Sequence, residues 1–453
     1  MVAYVELQDT HVPPNDFGYA IAVDGSSNVY VTGSQNNGAG NTIAFLAKYD
    51  ATGVIQWQRS LTDTYTTPND EGFGIAVDGS GNVYVTGWQH DSAGHTAAFV
   101  AKYSATGAIQ WQRILTETSS IPGTASYAVA LDSSANVYLT GWQNNSAGNT
   151  IVLVVKYDTT GALQWQRSLA DPFTTGAGPA PNDFGYAIAV DGSSNVYVTG
   201  SQRNLSTYHV VFVAKYDATG AIQWQRILTD TSAVPDAGGL GIAVDGSGNV
   251  YLAGSLTGDN NAVHIAFVAK YDATGAIQWQ RTLTDTYSTP DDYAVAVAVD
   301  GSGNIYVAGQ QYDSAGNLVG FVVKYDATGA IQWQRTLTDT YSTPSSYCNA
   351  VTVDASGNLH VTGVQSNSAG NSIAFILTVP TDGTGTGTYS ACSGQLVYAA
   401  GTLTDAAGAL TDAAGTLTDA AGALIDAADT LTDAAGTLTS CSYAVTAQMV
   451  MLV

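Results

Sequence analysis

The chain has 453 residues, a formal net charge of −24 and only thirteen basic side chains. No basic cluster is left to neutralise a phosphate backbone, which excludes nucleic acid as a partner and disfavours an anionic membrane surface. Charged residues are 11% of the chain, with Gly, Thr, Ser, Asn and Gln supplying the polarity; this bias points to an extracellular or cell-surface protein.

Residues 2–10, VAYVELQDT, read as a strand out of place. They match the later runs IQWQRSLTDT (55–64) and its variants, and Asp9 lies 54 residues before Asp63. They also lack the basic start and apolar core of a signal peptide. After them the chain repeats one unit. Its clearest copy, at 239–286, holds four short apolar runs: Leu240 to Asp245, Val250 to Gly254, His264 to Tyr271 and Ala276 to Leu283. Asp-Gly-Ser-Gly-Asn separates the first two and Asp-Ala-Thr-Gly the last two. Gly and Asn tolerate the positive φ of tight turns, and β-branched runs this short are strands rather than helices. Each unit is therefore a four-stranded antiparallel meander.

The turn aspartate recurs as Asp24, Asp78, Asp132, Asp191, Asp245, Asp300 and Asp354, with gaps of 54, 54, 59, 54, 55 and 54 residues. A period of this size with four strands per unit predicts a propeller, here all-β with seven blades. The motif IAVDGSGNVYVTG followed by FVAKYDATG, as in 75–87 and, with Ser104 for the Asp, 99–107, resembles the bacterial β-propeller repeat called SBBP, and more loosely the NHL repeat. The resemblance covers roughly residues 1–380. It implies the propeller fold and leaves function open, because propellers host many unrelated functions.

Six units carry a fourth-strand Trp: Trp57, Trp111, Trp165, Trp224, Trp279 and Trp333. One per blade at a fixed position predicts packing between blades rather than sugar stacking. Lys48, Lys102, Lys156, Lys215, Lys270 and Lys324 on third strands, and Arg59, Arg113, Arg167, Arg226, Arg281 and Arg335 on fourth strands, are expected to satisfy nearby acids or carbonyls. Arg203 is the remaining cation. The seventh unit has no Trp strand of its own, so residues 2–10 are expected to complete it and close the ring. First strands such as YAIAV (19–23) and FGIAV (73–77) are small and apolar, and predict a channel with little chemistry.

Links between blades and between second and third strands share one face. If a ligand binds, variable loops on a rigid scaffold are its place. Trp88, His90, His95, Trp142, Arg203, His209 and Tyr312 are the candidate ligand-binding residues. The Asp-Gly-Ser-Gly-Asn turns space oxygens like a calcium loop but lack its distal Glu, so a hairpin explains them. The six His have no zinc spacing, and no nucleophile elbow, phosphate loop or dinucleotide fingerprint occurs. The sequence thus predicts no metal, no cofactor and no catalytic residues.

Residues 1–389 form the expected propeller domain, and 390–453 a separate tail. In the tail Leu403, Leu410, Leu417, Leu424, Leu431 and Leu438 recur every seven residues, followed by Ala pairs such as Ala406 and Ala407. This fits a helical Leu/Ala stripe, or β-structure built from TLTDAAG segments. The end, Tyr443 to Val453, is too short to span a membrane. Cys348, Cys392 and Cys441 allow a disulfide within the chain or between subunits, or free thiols. These features predict a non-enzymatic extracellular structural or adhesive propeller that assembles with other copies of itself into a fibre or surface layer through its tail. The other reading is a module that binds a surface glycan or a protein through the variable loop face.

Overall fold

The computed structural model describes residues 3–8, 15–36, 39–62, 69–91, 93–116, 122–170, 182–203, 208–229, 237–257, 263–284, 291–339, 345–367, 369–390 and 395–400, and the backbone of six short strands beyond them. Seven antiparallel sheets follow one another around a ring. The innermost strands are Phe17–Val23, Glu71–Val77, Thr124–Leu131, Phe184–Val190, Gly238–Val244, Tyr293–Val299 and Tyr347–Val353. Each leads outward through three more, as in blade 1, where Val29–Asn36, Thr42–Tyr49 and Ile55–Thr62 follow.

Blade 7 takes its fourth strand from the start of the chain. Ala3–Gln8 pairs antiparallel with Ser372–Pro380, with Val5 opposite Ile376. The ring therefore closes by joining both ends of the repeat region, as the missing Trp strand predicts.

The core lies at the junctions. Seven clusters of buried side chains each combine neighbouring blades. Between blades 1 and 2, Tyr30, Leu46 and Leu61 meet Ile75, Val85 and Phe99, with Trp57 packed against them. Each such side chain contributes roughly 1.5–3 kcal/mol on burial.

Trp57 also donates its Nε1–H to the Ala105 carbonyl in the next blade (3.1 Å), and Arg59 Nε donates to Gly107 O (2.8 Å). The Lys48 ammonium sits 5.1 Å from the Tyr30 ring centroid and reaches the same Ala105 carbonyl. Trp111, Trp165, Trp224, Trp279 and Trp333 repeat the bond to the following blade. These tryptophans are joints, and the twelve cations of the third and fourth strands lie over Tyr and Trp rings beside them.

The turn aspartates are saturated from within. Asp24 Oδ1 accepts from the Ser26 and Asn28 amides, and Oδ2 from Asn28 Nδ2 and the Tyr30 hydroxyl. Burial alone would raise this carboxyl, but these hydrogen bonds outweigh it and hold the group below its ordinary value.

The strands of the tail region extend the blades. Gln395–Ala400 pairs with the outer strand of blade 6, and Gly387–Ser390 pairs with it in turn. Thr404–Ala407, Thr411–Ala414, Thr418–Ala421, Ile425–Ala428 and Thr432–Ala435 pair with the fourth strands of blades 5, 4, 3, 2 and 1. Thr439–Ala444 pairs with Ala3–Gln8 on blade 7. The segment steps backwards around the ring, one antiparallel strand per blade.

Candidate functional site at the channel mouth

A cavity of about 290 Å³ lies on the axis, lined from all seven first strands. Every first strand shifts register against the second at the same place: between Gly18 and Ala20, Gly72 and Gly74, Ser126 and Ala128, Gly185 and Ala187, Gly239 and Gly241, Ala294 and Ala296, Cys348 and Ala350. Such a bulge re-aims the residue it skips. The skipped residues are Tyr19, Phe73, Tyr127, Tyr186, Leu240, Val295 and Asn349, and all of them line the cavity. The expectation of a channel with little chemistry is therefore corrected at its mouth.

The four aromatic members touch in sequence around blades 1 to 4. Ring centroids are 5.0 Å apart for Tyr19–Phe73, 5.4 Å for Phe73–Tyr127 and 5.8 Å for Tyr127–Tyr186. On the opposite side, Asn349 Nδ2 donates to Gly18 O across the junction of blades 7 and 1 (2.9 Å).

Two positions before each bulged residue lies a rim residue: Phe17, Glu71, Ala125, Phe184, Gly238, Tyr293 or Tyr347. Phe17 stacks on Tyr19 and Phe184 on Tyr186, with centroids 5.9 and 5.8 Å apart and planes within 10° and 6° of parallel. Blade 5 breaks the rim. With Gly238 there and Leu240 beneath, a recess of about 290 Å³ opens among Phe184, Tyr186, Ser201, His209, Ser255, His264 and Tyr293. Asp291 Oδ1 and Tyr293 Oη lie 2.5 and 2.7 Å from His264 Nδ1. A carboxylate at that nitrogen favours the tautomer with its proton there.

The candidates read from the sequence fall on several blades and do not converge. Trp142 Nε1 donates to Tyr127 Oη (3.1 Å), and its ring meets Phe184 edge-on at 6.4 Å, so it backs one wall of the recess. Trp88 stands opposite Glu71 in the sheet and meets His90 at 5.6 Å. His95 folds onto Asp91 within its own turn, Nδ1 to Oδ2 at 3.1 Å. His209 lines the recess, with Asn182 Nδ2 3.3 Å from its Nε2. Arg203 is the strand partner of His209, and its amide donates to Asp183. Tyr312 sits opposite Leu318 at the outer end of a blade 6 strand. Cys348 is a buried free thiol that burial pushes far above its ordinary pKa. Cys392 lies outside the described residues, and Cys441 is the strand partner of Glu6.

Sequence reasoning missed Tyr19, Phe73, Tyr127, Glu71, Gly238, His264 and Tyr293. An aromatic begins the small-residue runs of blades 1 to 4, and blade 5 replaces it with Leu after two glycines, but alternation alone carries no mark of the register shift that turns these positions to the axis.

Seven four-stranded antiparallel blades around an axial cavity define a β-propeller. The SBBP β-propeller repeat matches this chain at three places, residues 12–38, 64–88 and 175–201. A regulatory protein of Caulobacter vibrioides, FlaEY, is 27% identical over 405 residues, covering 74% of this chain and 40% of the relative. An uncharacterised WD repeat-containing protein of Acanthamoeba polyphaga mimivirus is 28% identical over 120 residues, covering 21% of this chain and 8% of that one. The chain thus spans well under half of either. A crystal structure of unknown function from Dyadobacter fermentans aligns with a TM-score of 0.43 at 7% identity, covering 83% of this chain and 98% of the other. Another from Bacteroides caccae gives 0.34 at 9%, covering 62% and 93%. Among the described residues, no group of three or more His, Cys, Asp or Glu could hold a metal ion, and no helix is long and apolar enough to cross a membrane.

Proposed function

We propose that this propeller is a non-enzymatic binding module of the cell exterior that takes a glycan at its channel mouth. The observation that carries this reading is the break in the rim at Gly238. It leaves aromatic walls, Phe184, Tyr186 and Tyr293, beside hydroxyl and imidazole groups from Ser201, Ser255, His209 and His264. Aromatic rings stack on the C–H face of a sugar, while hydroxyls and imidazoles bond its hydroxyl groups. The volume is at the small end for ligand pockets and suits one sugar ring. The sparse charge of the chain supports an exterior location.

Gly238→Phe tests the proposal. The equivalent position is Phe in blades 1 and 4, and a Cβ at Gly238 meets nothing closer than 3.7 Å, so the variant is expected to fold. Glycan-array binding by the parent chain should disappear in the variant. A parent chain that binds no glycan, or a variant that binds equally well, overturns the reading. Hydrolysis of the bound glycan by purified protein overturns the non-enzymatic part.

Assembly through the tail is a second reading. Its support is that the tail pairs with outer blade edges through backbone bonds, and the same edges exist on every copy, so strands can be exchanged between copies. Light scattering of the intact chain and of a chain ending at Tyr389 decides it. Assemblies that vanish on truncation support exchange; assemblies that persist unchanged rule the tail out as the connector.

A further inference from the structure

We propose that the axial cavity binds a flat aromatic group with one hydrogen-bond donor on its ring, as in indole. The ring lies against the aromatic arc of the bulged residues and its donor meets the side-chain carbonyl of Asn349. The cavity borders the recess at blade 5 through Tyr186 and Leu240, but the proposal does not depend on a glycan there.

The first argument is the wall. Phe73 touches Tyr19 on one side and Tyr127 on the other, and Tyr127 touches Tyr186. The ring planes are turned by 32°, 82° and 31° at these three contacts. All four line the cavity, with Leu240 and Val295 completing the apolar side. Two phenol oxygens are tied to the second strands of their own blades. Ser34 Oγ donates to Tyr19 Oη (3.3 Å) and Trp142 Nε1 to Tyr127 Oη (3.1 Å). Rings held at such angles offer both edges and faces, and another aromatic packs on them edge-on or offset. An apolar cavity of about 150 Å³ holds benzene. At about 290 Å³, this one admits a bicyclic ring.

The second argument is the amide. Asn349 is the bulged residue of blade 7, where the other blades carry Tyr, Phe, Leu or Val, and it lines the same cavity. Gly18 O can only accept, so the Asn349 atom 2.9 Å from it is the Nδ2 donor, and the orientation of the amide is fixed. Its other end is the Oδ1 acceptor, to which no group donates among the described residues. An acceptor in apolar surroundings is costly to leave without a donor once water is displaced. A wholly apolar ligand imposes that cost, and a ring N–H removes it.

The third argument is placement. Gly18 directly precedes Tyr19, so the amide stands at the blade 1 end of the aromatic arc. A ring lying along the arc brings one edge to the amide, and the polar and apolar parts of the lining are used together.

Calorimetric titration of the intact chain with indole tests the site. N-methylindole is the probe without the N–H, and cyclohexanol the probe without the aromatic ring. Saturable binding of indole below about 1 mM is expected. N-methylindole should bind about threefold to tenfold more weakly, and cyclohexanol should not saturate. In Asn349→Leu, which keeps the side-chain size, the two indoles should bind alike. Phe73→Leu should weaken both and keep their ratio, and that ratio still decides if Asn349→Leu does not fold. N-acetyl-tryptophan amide binding more tightly than indole makes a protein side chain the natural source; the reverse makes it a small molecule. Absence of saturation with indole, N-methylindole or cyclohexanol binding as tightly as indole, or an indole preference that survives Asn349→Leu overturns the proposal. None of these probes is a sugar, so a chain that binds no glycan leaves the test intact.

Discussion

Gly107 meets two demands at once. Its φ is +79°, and a Cβ there would stand 2.8 Å from Trp57 Cδ2 of the preceding blade. Gly107→Ala is expected to cost about 2 kcal/mol or more, from strain in the left-handed region and displacement of the indole. Gly25 has an ordinary φ and open space around it, so Gly25→Ala should change stability by less than about 0.5 kcal/mol. Urea midpoints of the two variants check the contrast; equal midpoints refute the joint. The Trp57 role was legible because one Trp per unit at a fixed place can only be structural. The role of Tyr19, Phe73 and Tyr127 was not. A bulge is a change of register, and period-2 alternation in YAIAV carries no mark of it. Gly238 was equally silent, since its meaning comes from the aromatic residues that other blades place at the same height.

At the scale of strands, Ala3–Gln8 is the inner partner of Thr439–Ala444 and the outer partner of Ser372–Pro380. Removing residues 1–9 should uncover the edge of Ser372–Pro380 and take Val5 and Leu7 from the buried cluster shared by blades 7 and 1. A fall in melting temperature of several degrees is expected, and an unchanged melting curve contradicts the closure. This strand was readable because VAYVEL keeps the register of the later fourth strands and the seventh unit lacks one. The tail was not readable to the same degree. TLTDAAG satisfies a heptad stripe and a short strand alike, and the edges that pair with it exist only once seven blades stand in a ring.

Across the whole molecule, the turn carboxylates titrate together. Asp24, Asp78, Asp132, Asp191, Asp245, Asp300 and Asp354 are all held below the ordinary carboxylate range, where hydrogen bonds within the turns outweigh the cost of burial. Asp158, Asp217, Asp272, Asp326 and Asp382 of the second hairpins are lowered too, first by a threonine hydroxyl. A folded pKa below the unfolded value of about 3.9 gives stability that is present above that pH and lost as pH falls through the folded value. Glu71, raised by burial, works in the opposite sense, as does the easing of self-repulsion in a chain of charge −24. Twelve turns around one ring outweigh one rim carboxylate and a screened long-range repulsion. Melting temperature should hold from pH 7 to 5 and drop steeply below about 4; an unchanged melting temperature at pH 3 refutes it. The seven-fold plan was legible in the spacing of these aspartates, and the asymmetry that makes one side of the mouth different from the other was not.

Ring closure also sets a clock for synthesis. Glu6 is fully buried, and its Oε1 accepts from the Tyr4 hydroxyl and from Gln365 Nε2, each at 3.2 Å. Gln365 lies 359 positions later in the chain. At about 5–20 residues per second, a ribosome makes the opening strand wait roughly 20 to 70 seconds for that partner. Through this interval an apolar segment, Tyr4, Val5 and Leu7, is exposed with a carboxylate at its centre. The charge keeps the nascent strand from settling into a dry apolar sheet elsewhere, because burial without partners is costly. Completed blade 7 offers Glu6 the Gln365 amide, so the seventh unit must be in place before this strand can seat.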